Sequence, residues 1–180
     1  MARVDILMPV FNTAKYVGEA IDSVLGQTFS DLRLILVDAG STDGSHSVLE
    51  ARRRQDSRIE VISRSNRGLI ATRNELLDRS SAEFLVWLDS DDIAPRERVE
   101  RQIARLVAEP DLACVGGEVL CVDPIGRPIC REHWPVGRRA VKDGLRVGGG
   151  LRIGAAAMRR DAAVAIGGFR HPFKMGEDFD

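Results

Sequence analysis

The chain has 180 residues, 44% of them apolar and 29% charged, and a formal net charge of −1. That is the composition of a soluble globular domain long enough to bury a real core. The near-neutral balance excludes a general electrostatic pull towards nucleic acid or acidic membrane surfaces, and no stretch approaches the ~20 apolar residues that cross a bilayer.

Residues 4–10, VDILMPV, read as a short buried strand stopped by Pro9. Thr13 is placed to cap a helix, because Tyr16, Ala20, Ile21, Val24 and Leu25 recur at helical spacing as far as Gln27. LRLILVD (32–38) predicts a second strand. The turn-rich AGSTDGS follows, then a helix over about 45–55 and a third strand at IEVIS (59–63). NRG breaks the chain before a helix over about 69–79, and EFLVWLD (83–89) is the fourth strand. Strand and helix thus alternate three times with short connections, the pattern of a mainly parallel sheet covered by helices on both faces. Ligands of such sheets gather at the carboxyl ends of the strands, and PVFN, DAGSTDGS and DSDD all fall there.

Pro95 opens a helix to about Ala108 with Val99, Ile103 and Leu106 inward. LACVGGEVLCVD (112–123) reads as a strand with a glycine break, and DPIGRP as a turn or hairpin leading to ICREHW. Cys114, Cys121 and Cys130 match no zinc spacing and cannot all pair, so reduced thiols in a cytosolic protein are expected. The glycine- and arginine-rich residues 136–152 predict a mobile loop. A helix near 161–166 precedes GGF, and the last five residues are GEDFD.

The chemistry-bearing stretch is VWLDSDDI (86–93), where Asp89, Asp91 and Asp92 crowd into four positions. Like charges this close repel and raise one another's pKa, so solvent, a cation or a role must compensate. If the strand's extended geometry persists, Asp89 and Asp91 face the same way, and such oxygen ligands suit Mg²⁺ or Mn²⁺. The plainer alternative is a loop of solvated aspartates with Asp92 capping the next helix. DAGSTDGS resembles a calcium loop in composition but lacks the acidic twelfth residue. Ser41 or Asp43 as a helix cap is simpler, which leaves Asp38 as the better ligand contact. Arg73 reads equally as a solvated arginine, and Glu177, Asp178 and Asp180 either supply a general base or form a surface acid cluster. His46, His133 and His171 are too scattered for a metal cluster or triad. A Ser-centred elbow, a P-loop lysine motif and a Rossmann glycine fingerprint are all missing from the sequence.

Taken in order, ILMPVFNTAKYVGEAIDSVLGQTFSDLRLILVDAGSTDGS, NRGLIATRNELL, EFLVWLDSDDIAPRERVE, GGF and GEDFD resemble the family 2 glycosyltransferases of GT-A fold over essentially the whole chain. The resemblance implies a three-layer α/β sandwich: one domain over 1–180, with a nucleotide-sugar half at 1–110 and an acceptor half at 111–180. It implies that Pro9 and Phe11 cradle the base of a nucleotide-sugar donor, and that Asp38, Arg73, Asp89 and Ser90 line its nucleotide. Asp91, with Asp89, would hold Mg²⁺ or Mn²⁺ against the diphosphate, and Asp178 would be the catalytic base of an inverting transfer. The 144–154 stretch would lie near a glycan or lipid-linked acceptor. A cytoplasmic location is implied, with peripheral docking on the inner membrane face in the full-length protein, in work such as cell-envelope polysaccharide synthesis. Two departures stand out. The family's second aspartate after the second strand is Ala39 here, which weakens the preference for a UDP-sugar. Family members also continue past the ED element, so a chain cut from a longer protein is expected. The alternative is a non-catalytic nucleotide-sugar or carbohydrate-binding module. A sugar-1-phosphate nucleotidyltransferase would need a glycine-rich loop with a basic residue after the first strand, which PVFNTAKY does not supply. A phosphatase with a DxD nucleophile would carry its motif after the first strand, not the fourth. The sugar, the acceptor and the oligomeric state have no signature in these residues.

Overall fold

The computed structural model describes residues 2–146 and 150–170. Four strands, β1 (Val4–Val10), β2 (Leu32–Asp38), β3 (Ile59–Ser63) and β4 (Phe84–Trp87), alternate with α1 (Val17–Leu25), α2 (Ser45–Gln55) and α3 (Leu69–Arg79). After α4 (Arg98–Ala108) come the short β5 (Cys114–Val115), the hairpin β6 (Val119–Val122) and β7 (Pro128–Glu132), α5 (Arg138–Leu145), a 3₁₀ turn at Ile153–Ala155, β8 (Ala157–Arg159) and α6 (Arg160–Ala165).

The main sheet has the order β3-β2-β1-β4-β8-β5. β1, β2, β3 and β4 run parallel, and β8 is antiparallel to both its neighbours. Every residue of β1 is buried, as expected for a central parallel strand covered on both faces. Alternate side chains feed two cores. Ile6, Met8, Leu34, Leu36, Phe84 and Val86 pack with α1, α2 and α4, while Leu7, Ile35, Val37, Leu85 and Trp87 pack with α3 and α6.

The first four strands and the helices between them match the sequence expectations closely, with local corrections. Pro9 does not stop β1. It pairs with Val37 inside the strand, and the ladder runs on to Val10. Helix α1 starts at Val17 rather than beside Thr13, whose carbonyl instead accepts the Tyr16 and Val17 amides in a preceding turn. The run 112–123 is two strands in different sheets, split at the glycines. The stretch expected to be a mobile loop contains α5; residues 147–149 of that stretch lie outside the described residues. β8 was not foreseen: three residues, AMR, are too few to show a strand period.

At the amino end of the sheet an ion pair with a buried carboxylate ties β1 to β2 and to the segment before β4. Arg33 grips Asp5 through Nε to Oδ1 and Nη2 to Oδ2, both at 2.9 Å, and the amides of Ser81 and Ala82 also donate to Oδ2. Burial alone would raise the Asp5 pKa. The Arg33 bonds and the two amides outweigh it and hold the carboxyl below its ordinary value. A carboxylate with a depressed folded pKa contributes stability above its unfolded pKa and loses that contribution as pH falls through the folded one. Removing one partner of a buried pair costs about 3–5 kcal/mol; with Arg33 part-exposed, Asp5→Ala is expected to cost about 2–3 kcal/mol at pH 7. Urea titrations should show the wild type weakening below about pH 4 and the variant lacking most of that acid-dependent loss.

Candidate active site

The carboxyl ends of β1, β2 and β3 are level, with Val10 abreast of Asp38 and Asp38 abreast of Ser63. The loops that leave them meet on one rim. Asn12, at φ 53°, turns the chain out of β1. Its amide donates to Ser41 Oγ and its side-chain oxygen accepts from the Thr42 amide. The Thr13 amide donates to Ser45 Oγ, and the Ala14 amide to Asp43 Oδ2. The STDGS segment therefore serves as a template for the first loop. Asp43 also accepts from the amide and hydroxyl of Ser45, the first residue of α2, and these bonds, the hydroxyl's foremost, keep its pKa below the ordinary carboxylate value.

Asp38 is 2% exposed, and both its oxygens are engaged within the protein. Oδ1 accepts the Ser41 amide at 2.9 Å and Oδ2 the Ser63 hydroxyl at 2.8 Å. His46 Nδ1 lies 2.9 Å from that hydroxyl and 3.4 Å from Oδ2. Burial would raise the Asp38 pKa, but Ser41, Ser63 and His46 together hold it low. Asp38 thus braces the loop in this structure. Of the other residues implied for the base, Pro9 is buried in β1 while Phe11 is 48% exposed at the rim. Ala39, next to Asp38 in sequence, is buried, with its amide on the Val10 carbonyl.

The acidic segment is a turn, not a continuation of β4. The Asp92 amide donates to the Asp89 carbonyl at 3.1 Å, so the same-face alignment of Asp89 and Asp91 expected from strand geometry does not apply. Ser90 is buried, and its Oγ accepts from the Thr13 hydroxyl at 3.0 Å, joining this turn to the first loop. Asp89 is half-exposed, 3.7 Å from the guanidinium of the buried Arg73. Asp91 faces solvent. Asp92 has solvent along one side, yet the protein packed around its carboxyl, and then the charges of Asp89 and Asp91, push its pKa up to about 6, with Arg98 and Arg152 pulling the other way.

Three features here were not foreseen. Arg98 on α4 donates to the Trp87 carbonyl and to Gln102 Oε1; desolvation draws its pKa down to about 10 against the pull of Asp92 and Asp89. Gln102 in turn donates to the carbonyls of Val115, Gly116 and Ala155. The available signal was a polar pair four residues apart beside the apolar stripe of α4. Gly154 presses so close to the turn that a Cβ there would sit 2.6 Å from Asp89 Oδ2. On the other side Asn74 exchanges two hydrogen bonds with the backbone of Phe169, whose ring lies 5.5 Å from the Arg73 guanidinium. Asp178 lies outside the described residues.

The rim, the sheet order and the antiparallel β8 define a GT-A type glycosyltransferase fold. The mannosyltransferase PcManGT of Pyrobaculum calidifontis, solved with GDP-Man and Mn²⁺, superposes with a TM-score of 0.70 at 22% identity over 93% of this chain and 47% of its own. S. aureus TarS 1–349 in complex with UDP gives 0.73 at 20% identity over 98% of this chain and 53% of its own. Residues 5–167 match the model of glycosyl transferase family 2, and the chain belongs to that family. Glycosyltransferase GlyG of Streptococcus pneumoniae is 34% identical over 115 residues, 63% of this chain and 38% of GlyG. Chondroitin synthase of Pasteurella multocida is 30% identical over 133 residues, 73% of this chain and 14% of the synthase. The chain therefore spans less than half the length of these curated relatives.

Because the group nearest Gly154 is a side-chain carboxylate rather than backbone, Gly154→Ala should fold. We expect a loss of no more than about 1 kcal/mol, about 2–4 °C in melting temperature. A crystal structure of the variant should show the Asp89 carboxylate displaced by about 0.8 Å or more, the retreat from 2.6 Å to ordinary contact.

Proposed function

We propose that this chain is the donor-binding core of an inverting, metal-dependent glycosyltransferase, with residues 1–110 holding the nucleotide sugar and 111–180 facing the acceptor. The observation that carries the reading is the acidic turn at the carboxyl end of β4, set between Arg73, Gly154 and the first loop. Among the described residues no three His, Cys, Asp or Glu side chains are gathered around a common point for an ion. The donor set fits a cation that needs only one or two carboxylates and completes its shell with substrate phosphate oxygens, as Mg²⁺ and Mn²⁺ do. Asp91 and Asp89 would hold it, and when bound it supplies Lewis-acid neutralisation of the charge on the departing nucleoside diphosphate.

The chain's own residues do the rest. Phe11 offers an exposed ring against which a base can stack. Asp38 holds the loop that frames the nucleotide, and Ser90 fixes the acidic turn against that loop. Arg73 orients Asp89 from beneath. Asp178 takes the proton of the acceptor hydroxyl as general base, and the oxygen attacks the anomeric carbon on the face opposite the diphosphate, so the configuration inverts. Fixing donor and acceptor in line supplies much of the rate.

The neighbours solved with GDP-Man, UDP and UDP-GlcNAc support a nucleoside-diphosphate sugar as donor. Ala39 places a buried methyl where a carboxylate could have accepted from a base, so selectivity for uracil is reduced here. A glycan or lipid-linked acceptor in envelope polysaccharide synthesis is supported by relatives such as the teichuronic acid glycosyltransferase TuaG of Bacillus subtilis. No helix among the described residues is long and apolar enough to cross a membrane, and a cytoplasmic site of action, peripheral to the inner membrane face, accords with that.

The test is a screen of nucleotide sugars for transfer or hydrolysis with and without Mn²⁺, alongside calorimetric UDP binding. Asp91→Asn is expected to weaken Mn²⁺-dependent UDP binding at least about tenfold. Asp178→Asn should keep that binding while turnover falls about 10²-fold or more, the usual contribution of a general base. Turnover unchanged by chelator, or undiminished in Asp178→Asn, overturns the mechanism. Donor binding with no transfer in the wild type points to the binding-module alternative.

A further inference from the structure

The acidic turn does not run directly into a helix. Residues 93–97 form an irregular bridge between Asp92 and α4, and a bridge without ladder bonds takes its position from whatever it touches. Here the contact is the end of α1. Ser23 Oγ accepts the Ala94 amide at 3.0 Å and donates to the Ala20 carbonyl. The Gln27 amide nitrogen donates to the carbonyls of Pro95 at 2.9 Å, Ser23 at 3.0 Å and, more weakly, Ala94 at 3.4 Å. Its oxygen accepts the Val99 amide at 3.0 Å, satisfying one of the donors that the first turn of any helix leaves open. The Thr28 amide then donates to the Arg96 carbonyl and its hydroxyl to Glu100.

Gln27 is 8% exposed, and both ends of its amide are engaged by backbone on either side of the bridge. The placement of α1 does not need it, because Val17, Ala20, Ile21 and Val24 already bury that helix against the sheet. What hangs on Gln27 is the path from Asp92 to α4. The turn's other border is held by Thr13 on Ser90, at the opposite end of the same loop-and-helix unit. The one loop-and-helix unit thus touches the acidic turn at Ser90 and the segment that follows it at residues 94–99.

We propose that Gln27 is a positioning residue for the cation-binding turn: by fixing residues 94–99 it sets where Asp91 stands relative to Asp89, and so tunes affinity for the divalent ion and the diphosphate it bridges. This rests on the reading of that turn as the metal–diphosphate site. Gln27 touches neither ion nor substrate. Its removal therefore acts on metal affinity, while contacts to the base remain.

The experiment is a calorimetric titration of UDP at a series of Mn²⁺ concentrations, and without metal, on the full chain. Gln27→Met keeps length and volume but removes every amide bond. Gln27→Glu keeps the acceptor for Val99 but turns an oxygen towards the Ala94 and Pro95 carbonyls. In both, the Mn²⁺ concentration that half-saturates UDP binding should rise about tenfold, the usual effect of losing a partner outside the ligand shell. Metal-free UDP affinity should not change, and excess Mn²⁺ should restore wild-type binding. Leu49→Ala, which opens a cavity in α2 away from the turn and costs about 2–5 kcal/mol, controls for stability and should leave the midpoint in place. The inference is overturned if the midpoint is unmoved in the Gln27 variants, if Leu49→Ala moves it equally, or if neither Gln27 variant folds, since the residue then serves the fold and not the turn. A wild type whose UDP binding ignores Mn²⁺ removes the underlying reading as well, which sets that failure apart.

Discussion

Three carboxylates in four residues repel one another, and the rim is organised around cations that offset this. Arg73 reaches Asp89 from α3, Arg98 stands below Asp92 on α4, and Arg152 approaches from the turn before β8. They come from three separate elements, so the balance exists only once the sheet and both helix layers are assembled. It is also incomplete: burial and the charges of Asp89 and Asp91 still push the Asp92 pKa up to about 6. A turn left with surplus negative charge is a poor arrangement for stability and a good one for a cation.

The neutralising arginines are themselves held, Arg98 by neutral polar groups and Arg152 by a carboxylate. Arg98 is braced by Gln102 and the Trp87 carbonyl, and Gln102 extends the brace to Gly116 and Ala155. Glu132 on the hairpin pairs with Arg152, and Asn74 secures Phe169 beside Arg73. The carboxylates are few and close, while their supports spread across the fold. That distribution is how a site on loops gains the rigidity of the sheet beneath it.

This division explains what could be read from the sequence. β1 to β4 were legible as apolar runs bounded by turn residues, α1 by its apolar period and α2 and α3 by their place between strands, and Asp89 to Asp92 were legible because clustered like charge is conspicuous. The supporting contacts were not. Nothing local says that Thr13 will meet Ser90 or Gln27 will meet Val99, since each depends on parallel register across many residues. Asp38 shows the same division: its strand-end position was legible, while its bonds to Ser41 and Ser63 and its approach to His46 were not. The glycine break at Gly116 and Gly117 was legible, but β8 and the assignment of β5 and β6 to different sheets escaped, because two- and three-residue strands have no period of their own.

The insertion of β8 between β4 and β5 also orders events in time. The four parallel strands can associate once residue 87 has emerged, but the neighbour that covers the far side of β4 lies at 157–159. At about 5–20 residues per second of synthesis, a fully apolar FLVW edge stays unpaired for several seconds on every nascent chain. Such an edge is a template for wrong partners. Growth of this protein on the ribosome therefore includes a recurring interval in which chaperone capture or self-association competes with the arrival of β8.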